Sequence, residues 1–243
     1  MTTPQFSNFQ DEIHGVTLTS LTGVDNSIPF EIPSNVLVVG PTGAGKSVLV
    51  NRIILERSRL YREKIHEILV FYETWTENLQ ILKDSIDEIS FYTEIPTINE
   101  LKTRCSDGKN RIIFFDDKLP DLPKHYNLFL WIFTSGNSKC RFSVLMSTQN
   151  IFHSSKGFRD LSLNAGYFLF LKSKRAEGQL YCFANQIFLH KSKFFMDAYR
   201  KACIENYSYL LVDLHPKSND LFKLRTKIFY NENCVVFTEN AKL

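Results

Sequence analysis

The sequence predicts a three-layer α/β domain: a mostly parallel central sheet with helices packed on both faces. Three observations predict it. Short, nearly continuous apolar runs recur along the chain and alternate with stretches of helical spacing. Those runs lack the in–out alternation of a sheet with one wet face, so they suit strands covered on both sides. At 243 residues, 44% hydrophobic and 14% aromatic, the chain has enough apolar material for one sizeable core.

Residues 1–33 are polar and turn-rich, with Gly15, Gly23, Pro29 and Pro33, and read as an N-terminal extension ahead of a single domain over 34–243. Strands are expected at 35–39 (N-V-L-V-V), 67–72 (E-I-L-V-F-Y), 88–92 (E-I-S-F-Y), 111–117 (R-I-I-F-F-D-D) and 142–147 (F-S-V-L-M-S). Four more are expected at 167–171 (Y-F-L-F-L), 209–214 (Y-L-L-V-D-L), 224–229 (L-R-T-K-I-F) and 234–238 (C-V-V-F-T). Val50, Ile53, Ile54 and Arg57 fall at helical spacing after the first of these. Phe195, Ala198, Tyr199 and Ala202 form a second apolar stripe of core type. The run Y-N-L-F-L-W-I-F at 126–133 fits either helix or strand by periodicity alone.

Composition narrows the setting. The N-terminus lacks the charged and apolar regions of a signal peptide, and no apolar run approaches the ~18 residues of a membrane span. Five cysteines, odd in number and without a C-x-x-C pair, point to a reducing intracellular compartment and away from zinc. The net charge of +3 is unevenly distributed. Residues 1–121 hold 12 Lys and Arg against 18 Asp and Glu, whereas 122–243 hold 17 against 8. A basic second half suits an anionic partner, although a solvated surface would look the same.

The octet G-P-T-G-A-G-K-S, Gly40 to Ser47, fits the phosphate-loop pattern G-x-x-x-x-G-K-[ST]. Its context is the one the chemistry needs: an apolar strand before it and a helical pattern after it. Gly40, Pro41, Thr42, Gly43, Ala44, Gly45, Lys46, Ser47 and Val48 are therefore expected to wrap the phosphates of ATP at a helix N-terminus, with backbone N–H groups of the residues other than proline as the donors. Lys46 would supply a point charge for the β/γ oxygens, and Ser47 a hydroxyl for Mg²⁺.

The run R-I-I-F-F-D-D has the form of a buried strand that ends in two carboxylates. Asp116 would join Ser47 in holding Mg²⁺, and Asp117 would orient or deprotonate the attacking water. Gln149, at the tip of F-S-V-L-M-S-T-Q, either contacts the γ-phosphate and water or satisfies loop backbone. All three elements are expected on the C-terminal edges of neighbouring strands, where such sheets bind ligands. ATP hydrolysis is the expected activity.

The order of these motifs resembles that of the FtsK–HerA branch of P-loop motor ATPases, and within it the genome-packaging ATPases of Polinton/adintovirus-like elements, relatives of poxvirus and virophage packaging motors. The residues that carry the resemblance run from about Pro29 to Asn231: P-F-E-I-P-S-N-V-L-V-V-G-P-T-G-A-G-K-S, V-F-Y-E-T-W, I-I-F-F-D-D, S-T-Q-N-I-F, R-D-L-S-L-N-A-G-Y-F-L-F-L and Y-L-L-V-D-L-H-P with L-R-T-K-I-F. The resemblance implies a RecA-like three-layer P-loop NTPase fold. It also implies a homo-oligomeric ring that drives double-stranded DNA into a capsid, with a capsid vertex protein as partner. Localisation would be a nuclear or cytoplasmic viral assembly site, or the virion.

In that family a neighbouring subunit supplies an arginine finger. Arg141 and Arg159 are the first candidates here, with Arg175 behind them. Asp117 stands where many members have Glu, and G-N-S-K-C-R at 136–141 stands where close relatives have a histidine pair. Lys172, Lys174, Arg175, Lys191 and Lys193 lie in the basic half as DNA-pore candidates or as an ordinary solvated face. Alternative functions are another DNA-pumping or helicase ATPase of the branch, or a small-molecule phosphotransferase.

Overall fold

The computed structural model describes residues 6–8, 16–21, 28–149, 151 and 156–239. The strands are β1 (Phe6–Asn8), β2 (Val16–Leu21), β3 (Asn35–Val39), β4 (Glu67–Tyr72), β5 (Ile89–Tyr92), β6 (Arg111–Asp116), β7 (Phe142–Thr148), β8 (Tyr167–Leu171), β9 (Tyr209–Asp213), β10 (Leu224–Thr226) and β11 (Val235–Glu239). They form one sheet in the order β1-β2-β11-β10-β9-β8-β3-β7-β6-β4-β5. From β8 to β5 every pairing is parallel. From β8 out to β1 every pairing is antiparallel.

The parallel half is formed by the apolar runs. Every residue of β3, β6, β7 and β8 is buried, as expected of strands covered on both faces. One face is covered by α1 (Lys46–Leu55), α2 (Arg57–Leu60) and α3 (Glu77–Ser85), whose Leu49, Val50, Ile53, Ile54, Leu60, Leu79 and Leu82 pack with Val36, Val38, Val70 and Phe114 of the sheet. The other face carries α4 (Ile98–Arg104), α5 (Tyr126–Trp131), α6 (Asn137–Cys140), α7 (Lys156–Leu163), α8 (Glu177–Ile187) and α9 (Ser192–Ala202). There Phe168 and Phe170 of β8 meet Phe183 of α8 edge-on, and Phe195 of α9 closes the cluster. Each such ring removed from water contributes about 1.5–3 kcal/mol. The expected stripe Phe195, Ala198, Tyr199 and Ala202 is buried on α9.

Backbone conformation sets several boundaries more tightly than composition did. The strand expected over 111–117 stops at Asp116 because Asp117 turns to φ 53°, and that expected over 224–229 stops at Thr226 because Lys227 turns to φ 56°. The ambiguous run at 126–133 is helical: α5 passes directly into a π-helical turn, Ile132–Gly136. Within the region expected as an extension, β1 and β2 pair onto the sheet through β11. The rest of that region up to residue 27, and Asn150 and Phe152 of S-T-Q-N-I-F, lie outside the described residues. Among the described residues no helix is long and apolar enough to cross a membrane.

Candidate nucleotide-binding site

The order β3-β7-β6 brings three of the sequence motifs to one edge of the sheet. β3 delivers the chain to Gly40, whose N–H donates to Thr148 O at 3.1 Å and so ties the loop to the end of β7. The loop then turns on Gly43 (φ 77°) and Gly45 (φ 95°), conformations that side-chain-bearing residues rarely adopt. Ala44 N donates to Pro41 O at 3.2 Å within this turn. α1 begins at Lys46. Its N-cap is Gly45, which has no side chain to cap it, and no acidic residue stands in its first turn. The first N–H groups of the helix thus keep their capacity for an anion, and the helix dipole adds a partial positive charge.

Lys46 points back over the loop. Its ammonium donates to Gly40 O at 2.8 Å and Pro41 O at 3.1 Å. Burial lowers its pKa, against the opposing pull of the Asp117 and Asp116 carboxylates. Asp116 is the last residue of β6 and is buried; Asp117 is exposed. Burial pushes the Asp116 carboxyl up to about 6, the Asp117 charge adds to the rise, and Lys46 works against it. Lys46, Asp116 and Asp117 therefore share one electrostatic environment. Ser47 is half-buried in the first turn of α1, and Val48 beside it is exposed. Gln149 is exposed one residue past β7 and lines a small crevice with Gly40, Pro41 and Ser173.

The three arginines go to different places. Arg141 lies at the opposite end of β7, about 25 Å of extended strand from Gln149. It adopts φ 52°, donates from Nε to Asn110 Oδ1 at 2.9 Å and pairs with Glu63. Arg159 is exposed on α7 and, among the described residues, forms no ion pair. Arg175 is exposed beside the phosphate loop of its own chain, where it lines a cavity with Pro41–Ala44, Lys172 and Lys174. Lys191 and Lys193 sit apart from these, at the start of α9.

Two contacts at this edge were missed by motif reading. Lys118, next after the acid pair, is buried and donates to Glu73 Oε2 at 2.6 Å, linking the tips of β6 and β4. Glu73 belongs to V-F-Y-E-T-W, so a charged residue following a buried strand was the available signal. Tyr207 lies against Gly45; nothing in E-N-Y-S-Y marks it.

A run of parallel strands with a glycine-rich loop between β3 and α1, and an acid pair two strands away, defines the P-loop nucleotide-binding fold. Solved structures agree at the level of fold. The genome packaging NTPase B204 from Sulfolobus turreted icosahedral virus 2, solved with ATP-gammaS, superimposes with a TM-score of 0.50 at 14% identity, over 74% of this chain and 92% of that one. The cytoplasmic domain of the Thermomonospora curvata type VII secretion ATPase EccC gives a TM-score of 0.52 at 15% identity over 86% of this chain, which spans a quarter of that structure. No protein-family model and no curated protein matches the chain.

Proposed function

We propose that this chain is an ATP-hydrolysing motor that moves double-stranded DNA into a viral capsid, as a homo-oligomeric ring with a nucleotide at each subunit interface. The observation that carries the hydrolytic part is the meeting of the Gly40–Ser47 loop, Asp116, Asp117 and Gln149 at the C-terminal edges of three adjacent strands. The residues fit MgATP. The uncapped start of α1 and Lys46 suit the β- and γ-phosphates, and Ser47 with Asp116 would hold the magnesium ion. That ion supplies charge neutralisation across the β/γ oxygens when bound.

The chain's own groups then have distinct tasks. Lys46 moves from the Gly40 and Pro41 carbonyls to the phosphate oxygens. Asp117, exposed at the strand tip, takes the proton of the attacking water, and Gln149 orients that water. Arg159 is the favoured trans finger, because it is exposed and free of carboxylate partners among the described residues. Arg141 would first have to leave Glu63 and Asn110. Hydrolysis that needs a neighbour's arginine depends on assembly.

Support for DNA as the load is the fold likeness to a genome packaging NTPase together with the basic second half of the chain. A motor that accepts any sequence should hold phosphates and leave base edges unread. The capsid vertex protein as docking partner, and a host-cell assembly site or the virion as location, complete the proposal. The decisive experiment is ATP hydrolysis across a protein concentration series, with and without double-stranded DNA. Turnover that rises cooperatively with concentration and is stimulated by DNA of any sequence is expected. Flat, DNA-independent turnover by a monomer would instead indicate a phosphotransferase-type enzyme.

A further inference from the structure

The terminal phosphate has a defined direction in the reading above. Asp116 ends β6 and Asp117 follows it, two strands from the loop on its β7–β6 side, so a triphosphate whose γ-phosphate faces them can extend toward the loop's other neighbour, β8. A cavity of about 410 Å³ opens on that side, between Pro41–Ala44 and two loops, Lys172–Arg175 after β8 and Asn206–Tyr207 before β9. Its size is within the range of small-molecule sites. We propose that this cavity takes the nucleoside end of the nucleotide, with the base stacked on the ring of Tyr207. The proposal deepens the nucleotide-binding reading and rests on it.

Tyr207 is set up for such a role. It is held at φ 62°, a conformation uncommon for a residue with a bulky side chain and one that tends to mark functional loops. Its ring lies against the phosphate loop: a Cβ added at Gly45 would stand 3.1 Å from Tyr207 Cδ1. Yet the residue is 70% exposed, so most of the ring is open to a partner. A flat aromatic face beside the loop suits a nucleobase, whose stacking is tolerant of base identity.

The surroundings are fixed and cationic. Lys172 Nζ donates to Ile204 O and to Asn206 Oδ1, and Lys172 N donates to Ser208 O at 3.1 Å, which ties the turn carrying Tyr207 to the end of β8. The Asn206 amide therefore directs its oxygen to Lys172 and leaves its NH₂ group as a donor. Lys174 and Arg175 are exposed and, among the described residues, pair with no carboxylate. They offer charge for the phosphate nearest the ribose.

The test is equilibrium binding of two probes, MgATP and magnesium inorganic triphosphate, to the wild type, Tyr207→Ala, Tyr207→Phe and Lys46→Ala. Expected for Tyr207→Ala is a loss of about tenfold or more in ATP affinity, as for removal of one base stack, with triphosphate affinity unchanged; Tyr207→Phe should bind ATP like the wild type. Equal loss of both probes would make Tyr207 a mere prop for the loop and overturn the proposal, as would no change in either. Lys46→Ala reports on the underlying reading. It should weaken both probes, and if it weakens neither, the phosphate site itself is misassigned and the nucleoside site falls with it.

Discussion

Asp116 and Asp117 are adjacent in sequence but occupy opposite environments: the first is buried at the end of β6, and the second leaves the strand at φ 53° and reaches solvent. Two carboxylates so close together share one field, which contributes to the raised pKa of Asp116. The break in conformation lets one acid remain with the sheet while the other stands exposed beyond its edge. Asp117→Asn tests this division cleanly, because asparagine tolerates the left-handed backbone as well as aspartate does. Turnover should fall by about 100- to 10,000-fold, the range for loss of a general base, while ATP affinity is kept. Unchanged turnover in steady-state assays would assign the base elsewhere.

Lys46→Ala should abolish turnover, by at least about 100-fold, without unfolding the chain. Among the described residues the Lys46 ammonium hydrogen-bonds to the loop carbonyls Gly40 O and Pro41 O, and Lys46 is not part of the apolar core. Circular dichroism and a thermal melt alongside the ATPase assay check both halves of the prediction.

Arg159→Ala should reduce hydrolysis by about 1,000-fold or more, the usual effect of losing an arginine finger. Mixing it with Lys46→Ala should restore part of the activity, since each subunit then supplies what its neighbour lacks. No recovery on mixing would rule out action in trans by this residue. Arg141→Ala, by contrast, breaks a partly exposed pair with Glu63 and is expected to cost under about 1 kcal/mol of stability.

Arg225 and Asp213 form a fully buried pair, with Arg225 Nη2 donating to Asp213 Oδ2 at 2.7 Å between β10 and β9. Burial opposes both charges, and each is compensated chiefly by the other. Arg225→Met strands the aspartate and should cost about 3–5 kcal/mol, roughly 10 °C in melting temperature. Combining it with Asp213→Asn, which keeps an acceptor for His215 N, should recover more than half of that loss.

Stability should also fall with acid in a way that Glu67 explains. Burial penalises its carboxylate, but hydrogen bonds from Arg104 and Arg111 outweigh that and hold its pKa below the ordinary value. Because the folded state favours the ionised form, this contribution is complete above the unfolded pKa and is lost as pH falls through the folded one. Glu67→Gln should therefore melt lower than the wild type at pH 7, and the gap should close at acid pH. A gap that persists below pH 3 would point to packing instead of charge.

The legible part of this protein is local. Gly43 and Gly45 could be read as a phosphate loop because glycine takes such positive-φ turns without steric cost and lets the backbone approach an anion, and the demand is written in nearby residues. Apolar runs such as I-I-F-F and Y-F-L-F-L marked buried strands because burial on both faces leaves no polar alternation. Their polar ends, Asp116–Asp117 and Gln149, marked the edge where the candidate site lies, because a polar residue closing such a run stands out. Short segments were harder: β1 and β2 are stabilised by pairing with β11, a long-range contact that no local propensity encodes.

What only the tertiary structure decided is which distant residues meet. It placed β7 between β3 and β6, so that Gln149 stands beside the loop, and it carried Arg141 to the opposite end of the same strand. Arg175, a candidate finger by sequence, came to lie against the phosphate loop of its own chain, and Tyr207 came to rest on Gly45 across 162 residues. Sequence alone determined the chemistry available, since phosphate binding needs particular residue types in a row. The geometry of the nucleoside side depends on strand order and loop closure, which are set by the packing of the whole sheet.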